Sequence, residues 1–130
     1  MANLLVDTSA VILFIKGSQE VREQFRQHDE LYLCSIVLGK LLHGAFKSGQ
    51  QEQELQKLAF FRQWAKLLNT TERTAEIYGQ LSSKLALAGT PISANDTWIA
   101  AFAMEHGLTL YSKDTDYQRV EGLDFLLLES

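Results

Sequence analysis

The sequence predicts an α/β fold in which a central, mainly parallel sheet is flanked by helices on both faces. Short apolar segments of strand length alternate with longer segments of helical periodicity along the chain. The N-terminal apolar segment, residues 4–6, has no polar interruption, as expected for a central strand buried on both faces. Aspartates follow apolar segments at three distant points, where open parallel sheets build their sites.

Length and composition indicate one globular domain spanning residues 1–130, of which 46% are hydrophobic and 22% charged. The net charge of −4 is unlike that of a strongly basic nucleic-acid-binding domain, although a bound metal ion and nearby basic side chains can reverse the local potential. The single cysteine, Cys34, excludes an internal disulfide, and its apolar neighbours predict a buried, unreactive thiol. Without a signal peptide or an apolar segment of about 20 residues, we expect a cytoplasmic protein that does not enter membranes.

The first half of the chain is predicted to contain two strands and four helices. Thr8 or Ser9 is expected to cap the first helix, and Ser35 the third. Phe60, Phe61 and Trp64 are expected to pack in the core, and any exposed member would mark an interface. In order, the elements are strand 4–6, helix 10–16, a helix opening at Ser18, strand 31–34, helix 36–47 and helix 51–66.

The second half is predicted to contain two long helices and two strands. Thr70 or Thr71 begins the first helix, and Ser93 lies just ahead of the second. In order, the elements are a helix ending at Gly89, helix 94–105, strand 108–111, a short helical turn at 115–120 and strand 125–128.

Four aspartates are the candidate site residues, and each alone has an ordinary explanation. Asp7 suits either a helix N-cap or a site at the end of a buried strand. Asp96 lies three residues after Ser93, as in a capping box, but on a helix that is apolar from its first turn. Asp114 and Asp116 follow a strand in a loop, where Lys113 is able to neutralise them.

Taken together, the aspartates predict a metal site. Carboxylates that converge repel one another, and a hard divalent cation with oxygen ligands commonly offsets that repulsion. The pattern therefore indicates a Mg²⁺ or Mn²⁺ site built from strand ends and helix starts.

Four motifs carry a resemblance to a known family over essentially the whole chain. They are residues 5–9 (LVDTS), 41–45 (LLHGA), 89–101 (GTPISANDTWIAA) and 107–117 (GLTLYSKDTDY). The sequence resembles PIN-domain ribonucleases, and most closely the toxins of bacterial VapBC-type toxin–antitoxin pairs. The order and spacing of the four motifs, and the total length of the chain, agree with that family.

The resemblance implies a Mg²⁺- or Mn²⁺-dependent endonuclease acting on RNA. Asp7 matches the family's first acid, Asp96 the third, and Asp116 the acid that precedes an aromatic residue in the last motif. Asp114 occupies a position that is Asn or Asp in relatives and is expected to share the metal, while Ser9 matches a supporting hydroxyl residue. The implied partners are a VapB-type antitoxin and a second copy of the chain, with DNA contacted only through the antitoxin.

Lys40 departs from the family pattern, because relatives carry a glutamate there. An ammonium group beside the acids would repel a cation, and two unit charges about 4 Å apart interact by about 4 kcal/mol at an effective dielectric near 20. Lys40 is therefore expected to weaken or abolish catalysis, whether in a natural degenerate copy or through an inactivating change of one base. It is alternatively expected to be a counter-ion among the acids, or to extend from a shifted helix into water.

Two rival functions stay open. The first is a catalytically silent module that binds the antitoxin. The second is a metal-dependent phosphatase, which is disfavoured because Ser9 occupies the position where a second aspartate would normally follow Asp7. A basic rim is a further hypothesis, with ordinary solvated surface as its alternative, and its members are Lys16, Lys47, Lys84, Lys113 and Arg119.

Overall fold

Within residues 3–129, five short parallel strands form the sheet at the centre of the molecule, in the order β3-β2-β1-β4-β5. The computed structural model describes residues 3–129. The strands are β1 (Leu4–Val6), β2 (Leu31–Cys34), β3 (Ala65–Leu68), β4 (Thr109–Ser112) and β5 (Phe125–Leu127). The predicted parallel α/β fold is confirmed.

In the described part of the chain, six α-helices surround the sheet. They are α1 (Thr8–Ile15), α2 (Gln19–Arg26), α3 (Ser35–Lys47), α4 (Gln51–Arg62), α5 (Glu72–Leu87) and α6 (Ala94–His106). A short 3₁₀ helix, Thr115–Arg119, connects β4 to β5. Within residues 3–129, no helix combines the length and apolarity needed to span a bilayer.

The strand order places a switch point between β1 and β4. From β1 the chain builds outward through β2 to β3, and it then returns to the other side of β1 to form β4 and β5. Connections therefore diverge from the carboxyl ends of the two neighbouring strands and leave a crevice there. Open α/β sheets bind their ligands in that crevice.

The core contains the central strands and a set of aromatic side chains. All three residues of β1 are fully buried, which explains why this strand has no polar alternation. Phe14, Phe25 and Phe61 pack together with ring centroids 5.0 to 6.3 Å apart. Burying a side chain of this size contributes roughly 1.5–3 kcal/mol to stability.

The prediction of core packing for three aromatic residues is confirmed for only one of them. Phe61 is fully buried, whereas Phe60 and Trp64 are 57% and 61% exposed. Their rings contact edge to face at 6.4 Å between centroids. These two side chains form an exposed aromatic pair at the end of α4.

Several helix boundaries differ from the prediction. The fourth helix ends at Arg62 rather than at residue 66, and residues 65–68 form the edge strand β3, which the sequence analysis missed. The first helix begins at Thr8, because Asp7 and not Thr8 or Ser9 caps it. Ser35 likewise is the first residue of α3 rather than its cap.

Candidate metal centre

Asp7 lies at the carboxyl end of β1, and its carboxylate is held on both sides. Its Oδ1 accepts a hydrogen bond from the backbone N–H of Thr8 at 2.8 Å, so the N-cap interpretation is confirmed. Its Oδ2 accepts a 2.6 Å hydrogen bond from the hydroxyl of Ser112, which ends β4. The Asp7 side chain also lines the crevice, because it faces Ser112 and the loop that follows β4.

Asp96 enters the crevice from the first turn of α6, where it is only 9% exposed. Ser93 caps this helix by accepting a hydrogen bond from the backbone N–H of Asp96 at 3.1 Å. The Tyr117 hydroxyl lies 3.0 Å from Asp96 Oδ1 and 3.4 Å from Asp7 Oδ2. A single buried phenol therefore links two acids that are 89 residues apart in the sequence.

Asp114 and Asp116 reach the same place from the loop after β4. The Ser112 hydroxyl accepts a hydrogen bond from the backbone N–H of Asp114 at 3.0 Å. Asp114 in turn caps the 3₁₀ helix by accepting a bond from the N–H of Asp116 at 2.9 Å. This turn explains the spacing of the two acids, since it presents both carboxylates on one side of the loop.

Three of the predicted acids come together. One carboxylate oxygen from each of Asp96, Asp114 and Asp116 lies within 4.8 Å of the other two. Asp7 lies outside this trio and is connected to it through the Tyr117 hydroxyl. The acids meet across the β1–β4 switch point, as their positions after the strands predict.

Burial and neighbouring charges in this crevice alter the pKa values of two side chains. Burial raises the pKa of Asp96, and the nearby Asp114 carboxyl adds to the rise, while the hydrogen bond from Tyr117 opposes it. Burial and the charges of Asp7 and Asp96 raise the pKa of Tyr117. Tyr117 therefore stays protonated at neutral pH and donates its one hydroxyl hydrogen to Asp96, the nearer of the two acids.

Ser9 and Arg119 lie at the margins of the site. The Ser9 hydroxyl accepts a hydrogen bond from the backbone N–H of Lys113 at 3.0 Å and so joins α1 to the loop after β4. Arg119 lies 3.6 Å from Asp116 and donates to the carbonyl of Pro91 at 3.1 Å. Of the predicted basic rim, Arg119 is thus engaged with the site itself.

Lys40 lies beside the acidic crevice, on the exposed side of α3. It lines an open hollow of about 500 Å³ together with Thr8 and Asn95, the sequence neighbours of Asp7 and Asp96. Among residues 3–129, no carboxylate oxygen lies within 4 Å of its ammonium group. The hypothesis of a counter-ion paired with the acids is therefore wrong for this structure, because the side chain extends toward solvent.

The donor set fits a hard divalent cation. All three clustered donors are carboxylate oxygens, the ligand type that Mg²⁺ and Mn²⁺ prefer. The pKa of Asp96 is raised first by burial and then by the neighbouring Asp114, so its charged form is disfavoured in the folded protein without a cation. Arg119 is the one cation paired with this trio in the described chain, and it contacts only Asp116.

The family comparison agrees with this geometry. The PIN domain family profile matches residues 4–123, which contain all four acids and every strand up to β4. The chain belongs to the PIN-domain family. The tRNA(fMet)-specific endonuclease VapC of Shigella flexneri is 31% identical over 95% of this chain and 96% of its own length. Ribonuclease VapC1 of Haemophilus influenzae strain R2866 is 26% identical over 93% and 94%.

Two solved structures resemble this chain over almost its whole length. The DNA-bound VapBC structure from Salmonella typhimurium matches with a TM-score of 0.88 and 28% identity, covering 97% of this chain and 98% of the other. The VapBC2 structure from Rickettsia felis, bound to a promoter DNA fragment, has a TM-score of 0.91 at 23% identity, covering 98% and 99%. The second shows the fold alone, whereas the first and the VapC relatives place this PIN domain among VapC-type proteins.

Two residues of this PIN-domain site received no individual role from the sequence. Ser112 and Tyr117 were recognised only as members of the last motif, yet they hold Asp7 and link it to Asp96. The sequence signal for Ser112 was a serine directly after the predicted strand 108–111. For Tyr117 it was an aromatic residue directly after an acid.

Proposed function

We propose that this chain is a VapC-type toxin that hydrolyses RNA phosphodiester bonds through a Mg²⁺- or Mn²⁺-dependent acidic site, with activity weakened or abolished by Lys40. The main support is the convergence of Asp96, Asp114 and Asp116, with carboxylate oxygens within 4.8 Å, at the switch point of the sheet. The ribonuclease names of relatives that cover almost the whole chain support the reaction class.

In this proposal, Asp96, Asp114 and Asp116 hold the divalent ion. When bound, such an ion supplies an activated water and positive charge for the phosphodiester under attack. Asp7 is retained as a predicted ligand, because its carboxylate has about four lone-pair sites and the Thr8 N–H and the Ser112 hydroxyl occupy two of them. Tyr117 orients Asp96, and Ser112 orients Asp7, so that the acids are in place before RNA arrives.

Lys40 is proposed to lower metal affinity by its charge. The ammonium group is exposed, so water and salt screen its field more than they would for a buried pair. We therefore expect Lys40 to lower metal affinity about 10- to 100-fold, which corresponds to about 1.4–2.8 kcal/mol of binding free energy. Restoring the family's acid should reverse it.

The test is RNA cleavage with Mg²⁺ and with Mn²⁺ by this chain and by Lys40→Glu. Two relatives are named for action on tRNA(fMet), so a transcript of that tRNA is a suitable substrate beside a mixed-sequence single strand. We expect Lys40→Glu to cleave faster and at lower metal concentration, and Lys40→Glu combined with Asp96→Asn to be inactive. Equal activity of this chain and Lys40→Glu would contradict the disabling role of Lys40, and inactivity of both would contradict the ribonuclease.

A VapB-type antitoxin is the proposed partner, with DNA reached through it, and a homodimer is the proposed assembly. Three VapBC structures that resemble this chain support this partner, and two of them contain DNA. The exposed pair Phe60 and Trp64 is the proposed antitoxin contact, since exposed aromatic side chains commonly anchor interfaces. We place the protein in the cytoplasm, where RNA and an antitoxin would be available.

The alternative is a catalytically silent module that keeps antitoxin binding. Lys40 is the specific observation that favours it, because this residue replaces an acid expected in the site. Capture of the antitoxin by both this chain and Lys40→Glu, with RNA cleavage by neither, would support this alternative over the ribonuclease. A phosphatase is less favoured, and hydrolysis of a small phosphate ester in place of RNA would identify it.

A further inference from the structure

Arg119 joins the two segments that carry the clustered acids. Its Nη2 lies 3.6 Å from Oδ1 of Asp116, and its Nη1 donates a 3.1 Å hydrogen bond to the carbonyl oxygen of Pro91. Asp116 belongs to the 3₁₀ helix, whereas Pro91 lies two residues before the cap of α6, the helix that carries Asp96. The guanidinium group therefore pairs with one clustered acid and is anchored to the segment that leads to another.

This double contact distinguishes Arg119 from the other short-range ion pairs of the chain. Within residues 3–129, three further pairs join residues three apart on a helix, namely Arg26 with Glu23, Lys57 with Glu54, and Arg73 with Glu76. The polar contact of each of these cations stays within its own helix. Arg119 also bonds to a segment 28 residues away in the sequence, so its position is fixed independently of the carboxylate.

Within the described part of the chain, the clustered carboxylates have no other paired cation. One oxygen from each of Asp96, Asp114 and Asp116 lies within 4.8 Å of the other two, and like charges at this separation repel one another. Arg119 is the one Lys or Arg of residues 3–129 within 4 Å of any of these carboxylates. Its charge therefore offsets part of the repulsion when no metal ion is bound.

We infer that Arg119 is a displaceable counter-ion of the metal centre, which stabilises the assembled acids without metal and competes with the divalent ion for Asp116. The ion has to replace the guanidinium group at this carboxylate, and the bond to the Pro91 carbonyl keeps the displaced charge beside the site. Arg119 is thus a positioning residue that raises the metal concentration at which the centre fills. This inference rests on the proposed metal-dependent function and adds a control of metal loading that is separate from Lys40.

The test is Mn²⁺ binding, measured by the electron paramagnetic resonance signal of the free ion, for this chain and for Lys40→Glu, each with and without Arg119→Gln. Glutamine keeps an N–H donor for the Pro91 carbonyl but has no charge. Arg119→Gln should therefore bind Mn²⁺ about twofold to fivefold more tightly, the range expected when an exposed ion pair no longer competes. Arg119→Lys keeps the charge and should bind within about twofold of its parent.

The control is Arg73→Gln, which removes the same charge from a pair of the same spacing at the start of α5. It should leave Mn²⁺ affinity unchanged. Weaker Mn²⁺ binding by both Arg119→Gln and Arg119→Lys would contradict the competition, because it would show that Arg119 only bridges the two segments.

A second measurement needs no metal. In EDTA at low salt, Arg119→Gln should lower the melting temperature by about 1–3 °C, because the acids lose their counter-ion. The same change should have little effect in an Asp116→Asn background, where the paired charge is absent. The difference should also disappear at about 1 M salt, which screens exposed charges. An equal loss of stability with and without Asp116 would overturn the pairing.

The outcomes separate this inference from the proposed function. If Arg119→Gln leaves Mn²⁺ affinity unchanged while Asp96→Asn abolishes binding by Lys40→Glu, the role of Arg119 is wrong and the metal centre stands. If Lys40→Glu itself binds no Mn²⁺, the metal centre and the role of Arg119 are both wrong.

Discussion

The hydroxyl of Ser112 lies 2.6 Å from Oδ2 of Asp7 and so joins the carboxyl ends of β4 and β1. The Ser112 hydroxyl oxygen also accepts a hydrogen bond from the backbone N–H of Asp114. One fully buried hydroxyl therefore fixes the first acid and begins the loop that carries two others. Its position makes Ser112 a residue whose loss should affect both stability and metal binding.

We expect Ser112→Ala to lower the free energy of unfolding by about 1–3 kcal/mol, because it removes the buried hydroxyl that donates to Oδ2 of Asp7. Metal affinity should also fall by about 10-fold, as expected when a group that orients ligands is removed. Urea unfolding and Mn²⁺ titration measure the two effects. Ser48→Ala, which removes a hydroxyl bonded only to a loop N–H, is the control. A Ser112→Ala protein as stable as the parent would contradict this role.

Asp96→Asn should change how stability depends on pH. The raised pKa means that the folded protein holds this proton more tightly than the unfolded chain does. Protonated Asp96 therefore contributes stability that is complete below the ordinary value of 3.8 and is lost as pH rises through the raised pKa. In EDTA, Asp96→Asn should be more stable than the parent at neutral pH, and the difference should shrink in acid.

Unfolding curves from acid to neutral pH, with and without Mn²⁺, measure this effect. Mn²⁺ should stabilise the parent at neutral pH and leave Asp96→Asn nearly unchanged, since only the parent keeps all three clustered acids. If the parent is more stable than Asp96→Asn at neutral pH in EDTA, the prediction is wrong, because the charged Asp96 then does not destabilise the folded protein.

Cys34 should react slowly with alkylating reagents in the folded protein. The thiol is fully buried, and burial raises its pKa from 9.0 to about 11. The thiolate fraction at pH 8 should fall about 100-fold from this shift alone, since each pKa unit is tenfold. Iodoacetamide labelling followed by mass spectrometry measures the rate, with urea-unfolded protein as the reference. Equal rates in the two states would contradict the buried position of Cys34.

Trp64→Ala and Phe60→Asp should weaken antitoxin binding without unfolding the chain, because both side chains are more than half exposed. A central aromatic contact typically contributes about 2 kcal/mol or more to binding, which is about 30-fold in Kd. Calorimetric titration with the antitoxin measures this, and Leu87→Ala, which truncates an 87% exposed side chain on α5, is the control. Phe61→Asp is unsuitable, because Phe61 is buried and its change would disrupt the core. Unchanged affinity in both test variants would place the antitoxin elsewhere.

The elements with strong local signals were predicted well. The bounds of β2 were predicted as observed, and Ser18 and Ser93 cap the helices expected after them. Gly107 ends α6 in the left-handed conformation that glycine adopts most easily. These features depend on side chains and backbone torsions that are close together in the sequence.

The failures depend on contacts made at long range. Strand β3 has only four residues and is half exposed at the sheet edge, so its sequence gives no alternation long enough to separate it from the preceding helix. The outward position of Lys40 and the Tyr117 hydroxyl between two acids depend on how α3 and the 3₁₀ helix pack, which no local pattern specifies.

The most direct measurement is the location of Mn²⁺ by anomalous diffraction from crystals of the Lys40→Glu protein grown with that ion. We predict an anomalous peak within coordination distance of carboxylate oxygens from Asp96, Asp114 and Asp116. A metal-saturated crystal with no peak at this trio, or with the ion bound only on another face, would contradict the metal centre on which the proposed ribonuclease depends.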